Sequence, residues 1–235
     1  MKRLKYEVIL LLGLSMAAMI TSCSNENKLA QFEKKATEFK ATLDPSNIVI
    51  AERMDTVVQK VFYLDPKQDA DGVHPINNIM MHDYATNDTK ALLPEEEKIN
   101  DYLVWGELVD DDNEEFKSFN HCFNLDYRNS ELIGDRLFMM IHTEMSYDME
   151  TSLLFYVDVL DNSLHYVCSC DDVNYDKAKG TIDVHNDLMK PAGAELGYDY
   201  TLSASLSDEE YAAKRAEIEE ICNQMSEQWR EENLD

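Results

Sequence analysis

The chain has 235 residues, of which 44% are hydrophobic, and its 47 acidic and 21 basic residues give a formal net charge of −26. This charge excludes nucleic acid as a partner, because binding nucleic acid depends on lysines and arginines that neutralise phosphates. It also excludes a basic face that binds anionic lipids directly. The length and the hydrophobic content are sufficient for one domain with a buried core.

Residues 1–22 have the layout of a secretory signal peptide. Three basic residues precede an apolar run from Val8 to Ile20, and the small polar residues Thr21 and Ser22 follow. The apolar run has about 13 residues, which is fewer than the roughly 18 to 20 that a membrane-spanning helix needs. We therefore predict that this segment directs export and is then removed.

The sequence Ile20-Thr21-Ser22-Cys23 resembles the lipobox of bacterial lipoproteins, in which an aliphatic residue and two small residues precede a cysteine. In that family the cysteine thiol is linked to diacylglycerol, a peptidase cuts before the cysteine, and the new amino group is usually acylated. The resemblance implies that Cys23 is the lipid attachment site, and two or three acyl chains make a durable anchor. The alternative is a secreted protein that is cut elsewhere, with Cys23 in a disulfide.

Residues 23–28 are interpreted as a short polar tether between the lipid and the fold. Their content of Asn and acidic residues resembles that of lipoproteins from Bacteroidota. By the sorting rule of enterobacteria, Ser24 after the cysteine favours the outer membrane. The predicted location is therefore the cell envelope, lipid-anchored and at the outer membrane, with the face of the membrane left open.

Residues 29–235 are predicted to form a single β-rich domain that begins with a helix at 29–43. Apolar residues recur there at steps of three and four, which is typical of a helix with one buried stripe. The stripe consists of Leu29, Phe32, Ala36, Phe39 and Leu43. Asp44-Pro45 is expected to end the helix, because the residue before a proline avoids helical geometry.

A second helix is predicted at 207–233. Ser207 and Glu210 form the pattern of a capping box, with a serine at the cap and a glutamate three residues later. One face of this helix carries Tyr211, Lys214, Ile218, Ile221, Cys222, Met225 and Trp229. Either helix could bind a partner, but stripes of this kind usually face a core.

The middle of the chain, residues 47–205, is predicted to be a β meander, because Val, Phe, Tyr and Thr are frequent and helical spacings are few. Three short phrases align on a single aspartate, at Asp83, Asp126 and Asp158. Each phrase has an apolar strand, the aspartate, a turn with an asparagine and a second apolar strand. The turn asparagines are Asn87, Asn129 and Asn162.

This pattern resembles the blades of a β-propeller, and it predicts about three repeated hairpin units. The runs from Leu137 to Ile141 and from Leu153 to Val157 are apolar at every position. Strands of this composition are expected to be buried on both faces, which favours stacked sheets or sheets covered by helices. The predicted fold class is therefore mainly β with flanking helices (α+β), as a propeller-like or sandwich-like antiparallel meander.

Four cysteines remain after Cys23, and they are candidates for up to two disulfides in an oxidising envelope. They are Cys122, Cys168, Cys170 and Cys222. Cys168 and Cys170 are two residues apart, so on a strand they face the same side and do not readily bond to each other. A buried free thiol is the alternative role. The pair lacks the second pair of ligands that zinc sites show.

The sequence predicts no catalytic residue, no metal site and no cofactor. Asp69 to Gly72 matches part of a calcium loop, but the first and last ligand positions hold Lys67 and Asn78, so a solvated loop is expected. Asp110 to Glu115 has the charge of a calcium site without the spacing. The six histidines stand singly, and the mature chain has no G-x-S-x-G.

Three hypotheses for function follow from these observations. The leading one is a lipid-anchored, non-enzymatic protein of recognition or scaffolding type, which contacts the membrane through the lipid on Cys23 and binds an envelope protein or a glycan. The second is a carrier of lipid or another small ligand with a lipocalin-like or half-barrel fold. The third is an envelope hydrolase, which would require a cleft with a cluster of histidine and carboxylate groups.

Overall fold

The computed structural model describes residues 28–68, 75–92, 122–145, 149–187 and 197–233. Within these ranges, helices α1 (28–40) and α2 (Asp208–Asn233) bracket eleven strands. The strands are β1 Ile48–Met54, β2 Gln59–Gln68, β3 Pro75–Asp83, β4 Asp88–Ala91, β5 Cys122–Ile133, β6 Arg136–Met145, β7 Met149–Asp158, β8 Leu164–Cys170, β9 Asp172–Asp176, β10 Thr181–Asp187 and β11 Gly197–Ser203. The predicted α+β class, with a meander between two helices, is confirmed.

The strands form three antiparallel sheets, each made of strands that are consecutive in the chain. Sheet A has the order β1-β2-β3-β4, sheet B has β5-β6-β7-β8, and sheet C has β11-β10-β9. Each strand therefore pairs with its neighbours in sequence, as in a meander. The repeated unit is a sheet of four strands, or of three in sheet C, rather than a single hairpin.

Sheet B is the middle layer of the stack, and both of its faces are buried. The runs from Leu137 to Ile141 and from Leu153 to Val157 are at most 4% exposed. Alternate residues of these runs pack against sheet A on one side, where they meet Phe62 and Ile79. The residues between them pack against sheet C and α2, where they meet Ile182. The prediction of strands buried on both faces is confirmed.

Helix α1 covers the outer face of sheet A. Phe32, Ala36 and Phe39 of the predicted stripe pack against Val61 and Tyr84. Phe39 also stacks on the ring of His82, with ring centroids 3.7 Å apart. The stripe therefore faces a core, as expected.

The helix α1 ends at residue 40, three residues earlier than its predicted boundary. The N–H of Thr42 donates to the carbonyl of Phe39 at 2.8 Å, and the Thr42 hydroxyl donates to the same oxygen at 2.7 Å. These bonds tighten the last turn and satisfy a carbonyl that a continuing helix would use. The Asp44 side chain then accepts the N–H of Ser46 at 2.9 Å and starts the next turn.

Helix α2 packs against strand β8 and the sheet C side of sheet B. Its capping box is confirmed, since Glu210 N–H donates to the Ser207 hydroxyl at 3.3 Å and Ser207 N–H donates to the Glu210 carboxylate at 2.7 Å. Tyr211 is buried and donates to the carbonyl of Ser203 at 2.9 Å. Arg215 donates to the carbonyl of Val167 at 2.8 Å. Neither described helix is long and apolar enough to cross a membrane.

The predicted turns at Asn87 and Asn162 are confirmed. Both residues have a positive φ, 64° and 66°, and their N–H groups donate to the carbonyls of Asp83 and Asp158 at 2.8 and 2.7 Å. Asparagine tolerates this left-handed conformation better than most residues do. The two turns occupy the same place in sheets A and B, between the third and the fourth strand.

The predicted turn at Asn129 is wrong. Residues Asp126 and Asn129 lie inside strand β5, which runs on to Ile133 through two register shifts. The matching turn lies instead at Asp176, where Gly180 has a φ of 67° and donates to the Asp176 carbonyl at 2.8 Å. A left-handed residue is needed four positions after the aspartate, and Ser130 stands at that position after Asp126.

Five turns in the described part of the chain, drawn from all three sheets, lie at one end of the stack, which we call the hairpin-turn end. It consists of residues 55–58, 84–87, 134–135, 159–163 and 177–180. Arg53 joins the first of these turns to the carbonyl of Gly134 at 3.4 Å, and Val159 N–H donates to the carbonyl of Asp135 at 2.8 Å. Arg136 reaches the carbonyl of Ala204, whose N–H donates to Gly180. At the opposite end lie the other ends of these strands, including the end of β8 and the start of β9.

Replacing Asn87 tests the left-handed turn, because its side chain is exposed. Asn87→Val is expected to lower the free energy of unfolding by about 1–2 kcal/mol, the cost of a left-handed conformation for a bulky residue. Asn87→Gly is expected to stay within about 0.5 kcal/mol of the wild type. Urea denaturation measures both values. Equal losses in the two variants would show that this turn does not require positive φ.

Candidate functional site

Several predicted residues lie outside the part of the chain that the structure describes. These are the lipid attachment residue Cys23 and the acidic segments Asp69 to Gly72 and Asp110 to Glu115. Cys122 begins β5, and its side chain lies outside the described part. The expectation that these acidic segments are solvated loops without calcium therefore rests on the sequence alone.

Cys168 and Cys170 lie on the same face of strand β8, as predicted from their spacing. Both are thiols and only 4% and 3% exposed, and they pack in the core between sheets B and C. The hydrogen bond that the Cys170 thiol donates to Cys168 and the burial of the site raise the pKa of Cys170. Buried thiols in apolar surroundings react slowly. Cys222 lies on α2 and is half-buried, and burial raises its pKa.

A serine, a histidine and an aspartate come together where the β7–β8 hairpin meets the start of α2. The Ser163 hydroxyl lies 2.6 Å from His165 Nε2, and His165 Nδ1 lies 2.7 Å from a carboxylate oxygen of Asp208. These contacts have the order of a nucleophile, a base and an orienting carboxylate. The sequence search missed them because Ser163 has no motif and Asp208 belongs to another element.

The environment of Ser163 does not fit a nucleophile. Its hydroxyl donates to Asp161 at 2.6 Å, and its N–H donates to the same oxygen at 2.8 Å. A general base must take the hydroxyl proton, and here that proton is directed to Asp161 rather than to His165. The two clefts described below do not include these residues. We therefore interpret the cluster as a clamp that fastens α2 to the β7–β8 hairpin, and we call it the α2 clamp.

Asp208 is the centre of the α2 clamp. Tyr156 donates its hydroxyl to the second oxygen of Asp208 at 2.7 Å, and its ring stacks on His165 with centroids 4.5 Å apart. Burial raises the pKa of Asp208, but the hydrogen bonds from Tyr156 and His165 outweigh burial and hold it below its usual value. The Arg136 guanidinium covers the other face of the Tyr156 ring at 4.4 Å.

A cleft of about 490 Å³ opens toward the opposite end of the stack, between sheet B and the β8–β9 junction. We call it the opposite-end cleft. Its lining is polar and includes both signs of charge: Arg128, Asn129, Met140, His142, Ser152, Asp171 and Asp172. Ser152 is 5% exposed, and its hydroxyl lies 3.1 Å from His142 Nδ1. Asn129 is held by a hydrogen bond from the Tyr175 hydroxyl at 3.1 Å.

The outer face of sheet C is exposed and polar. Its outward residues include Asp172, Asn174, Asp183, His185, Asp199 and Thr201, which surround a shallow depression of about 310 Å³. His185 Nδ1 lies 2.7 Å from Asp199, and Thr201 donates to Asp183 at 2.7 Å. A Cβ at Gly197 would lie 2.7 Å from the imidazole of His185, so a larger residue there would displace that side chain. In the described residues, no group of three or more His, Cys, Asp or Glu is arranged to hold a metal ion.

No protein-family model matches the chain, and neither a curated protein nor a solved structure matches it. Function is therefore argued from the geometry and from the resemblance at Cys23.

Asp208→Asn tests the α2 clamp. At pH 7 the variant is expected to unfold with a free energy lower by up to about 1 kcal/mol, because half of the side chain is exposed and the lost bonds are charge-assisted. The folded-state pKa of Asp208 is below its usual 3.8, so the carboxylate stabilises the fold above that pH. This contribution disappears as the pH falls through the folded-state pKa. Chemical denaturation from pH 7 down to pH 3 is expected to show the two proteins converging.

Glu209→Gln is the matched control, since it removes the same charge one residue further along α2. Glu209 lacks the bonds to Tyr156 and His165, so only its interaction with the helix dipole is lost. A loss as large as that of Asp208→Asn, or a difference that does not change with pH, would contradict the clamp.

Proposed function

We propose that the chain is a lipid-anchored cell-envelope protein of recognition or scaffolding type, held in the membrane by the lipid on Cys23. The support comes from the resemblance of Ile20 to Cys23 to a lipobox and from the position of α1 in the fold. The observation that carries the proposal is that α1 begins at the hairpin-turn end of the stack. An anchor on Cys23 then orients the whole domain.

The direction of α1 follows from three contacts along the chain. Lys35 donates to the carbonyl of Tyr84 at 2.8 Å, at the hairpin-turn end. Lys40 reaches Glu52 at 2.9 Å, two residues inside β1 from that end. Asn47, after the helix, donates to the carbonyl of Leu64 at 3.2 Å, further toward the opposite end. The helix therefore starts at the hairpin-turn end and runs away from it.

Cys23 stands five residues before the start of α1 at Lys28. Five residues reach at most about 18 Å when fully extended. A lipid on Cys23 therefore keeps the hairpin-turn end close to the membrane. The opposite-end cleft is then directed away from the membrane, where a partner can reach it.

The opposite-end cleft brings Ser152 close to His142, but the Ser152 side chain is only 5% exposed, which is unfavourable for attack on a substrate and favours recognition over catalysis. The cleft presents a guanidinium, an imidazole, a hydroxyl and two carboxylates, which suits a hydrogen-bonding partner such as an envelope protein or a glycan. The carrier hypothesis receives no support from the interior, because side chains fill both faces of sheet B.

Cys23→Ser tests the anchor. The variant is expected to lose the lipid-modified N-terminal peptide in mass spectrometry and to move from the membrane fraction to the soluble fraction. Ser24→Ala is the matched control and is expected to keep the lipid. An unmodified Cys23 in the wild-type protein, with membrane association unchanged in Cys23→Ser, would refute the proposal.

Arg128→Glu tests the opposite-end cleft. Cross-linking in the native membranes, followed by purification and mass spectrometry, is expected to recover a partner with the wild-type protein and at least about tenfold less with the variant, since charge reversal at a contact costs more than 1.4 kcal/mol. Lys90→Glu makes the same change on β4, outside the cleft. Equal recovery from the wild type and both variants would place recognition elsewhere on the surface.

A further inference from the structure

Two large apolar side chains are exposed on the turns of the hairpin-turn end. Val57, on the β1–β2 turn, is 70% exposed, and Leu160, on the β7–β8 turn, is 50% exposed. Ile48 and Val49 are also exposed, but they begin β1 at the opposite end. Scattered apolar residues on a surface need no explanation. Val57 and Leu160, however, lie on neighbouring turns at the same end of the stack, which is the end where α1 begins.

The turns that carry Val57 and Leu160 are fastened to each other. The Lys60 ammonium donates to the carbonyl of Val159 at 2.6 Å and to the side chain of Asn162 at 2.8 Å. Lys60 belongs to the strand that follows the Val57 turn, so it connects the two turns. The backbone segments that carry Val57 and Leu160 are therefore held in a fixed position relative to each other.

The β1–β2 turn also has an internal brace. The N–H groups of Val57 and Val58 donate to Asp55 at 2.7 and 2.8 Å, and Arg53 donates to the same carboxylate at 2.7 Å. The bonds from Val58 and Arg53 lower the pKa of Asp55 to about 2. The brace fixes the backbone that carries the exposed side chain of Val57.

The tether determines what lies next to this end. Cys23 is five residues before α1, and the lipid on it would hold the hairpin-turn end within about 18 Å of the bilayer. Two partly exposed apolar side chains are too few to bind a membrane unaided. In a tethered domain they meet the bilayer at a high effective concentration, so they set orientation rather than affinity.

We infer that the hairpin-turn end rests on the bilayer that holds the lipid, with Val57 and Leu160 inserted among the headgroups. This inference depends on the proposed lipid anchor. The carboxylates of Asp135 and Asp161 lie at the same end and are exposed. Lys177 and Lys179 are exposed there too, but they are paired with Glu131 and Asp176. The contact is therefore made by the two apolar side chains and does not require anionic lipid. In this orientation the strands run away from the membrane surface, and the opposite-end cleft faces the envelope space.

The test uses the full lipidated protein, purified from its membranes and reconstituted into vesicles of phosphatidylcholine and phosphatidylethanolamine. Single cysteines are introduced as Val57→Cys and Leu160→Cys and labelled with an environment-sensitive dye. Val49→Cys is the matched control, because Val49 is also apolar and is 43% exposed at the opposite end. The unmutated protein, labelled in the same way, gives the background from the native thiols.

The dye at 57 and at 160 is expected to shift to shorter emission wavelength and to be quenched about twofold or more strongly by nitroxide lipids than the dye at 49. Quenching by aqueous iodide should show the reverse order. Equal quenching at all three positions, in protein that floats with the vesicles and carries the Cys23 lipid, would overturn the inference alone. Protein that carries no lipid and does not float would instead overturn the proposed anchor.

Discussion

The rest of the structure depends on the burial of sheet B on both faces. Strands β6 and β7 are apolar at successive positions, so neither of their faces can be left in water. Sheet A covers one face, and sheet C with α2 covers the other. Sheet A still has apolar residues on its outer side, and α1 covers these. The outer side of sheet C is polar and needs no cover, so the stack ends there.

The meander topology also separates the two ends of the stack chemically. Short turns with an aspartate and a left-handed Asn or Gly collect at the hairpin-turn end, where cross-links between turns are frequent. The polar opposite-end cleft lies toward the other ends of the strands. Because α1 starts at the hairpin-turn end, an anchor at its N-terminus and the opposite-end cleft lie on opposite sides. In the proposed function, position along the strands thus separates the end that carries the anchor from the end that recognises a partner.

Local pattern predicted much of the fold. The stripe of α1, the capping box of α2 and the burial of both faces of β6 and β7 follow from spacings within one element, and the structure confirms them. The boundary of α1 was set too late, because the bonds of Thr42 depend on geometry that the apolar spacing does not encode. The turn at Asp176 was recognisable, since it places a glycine four residues after an aspartate.

Features that depend on register between strands or on packing between layers were not predictable from the sequence. The sequence around Asn129 has the composition of a turn, but Asn129 lies within strand β5, next to a register shift between Tyr127 and Asn129. The α2 clamp joins residues of different elements, and the opposite-end cleft is lined by residues of β5, β6, β7 and the β8–β9 junction. No spacing in the chain encodes either arrangement. The same-side placement of Cys168 and Cys170 was predictable, because alternation along one strand determines it.

The order of the sheets along the chain has a consequence for folding. In the part of the chain that the structure describes, strands pair only with sequence neighbours, so each sheet can form with little loop closure between distant segments. Sheet A comes first in the chain, yet its inner face has no cover until β6 and β7 are in place. A chain in which only sheet A has formed exposes apolar surface and is prone to aggregation. The middle sheet therefore completes the core against sheet A and provides the surface on which sheet C packs.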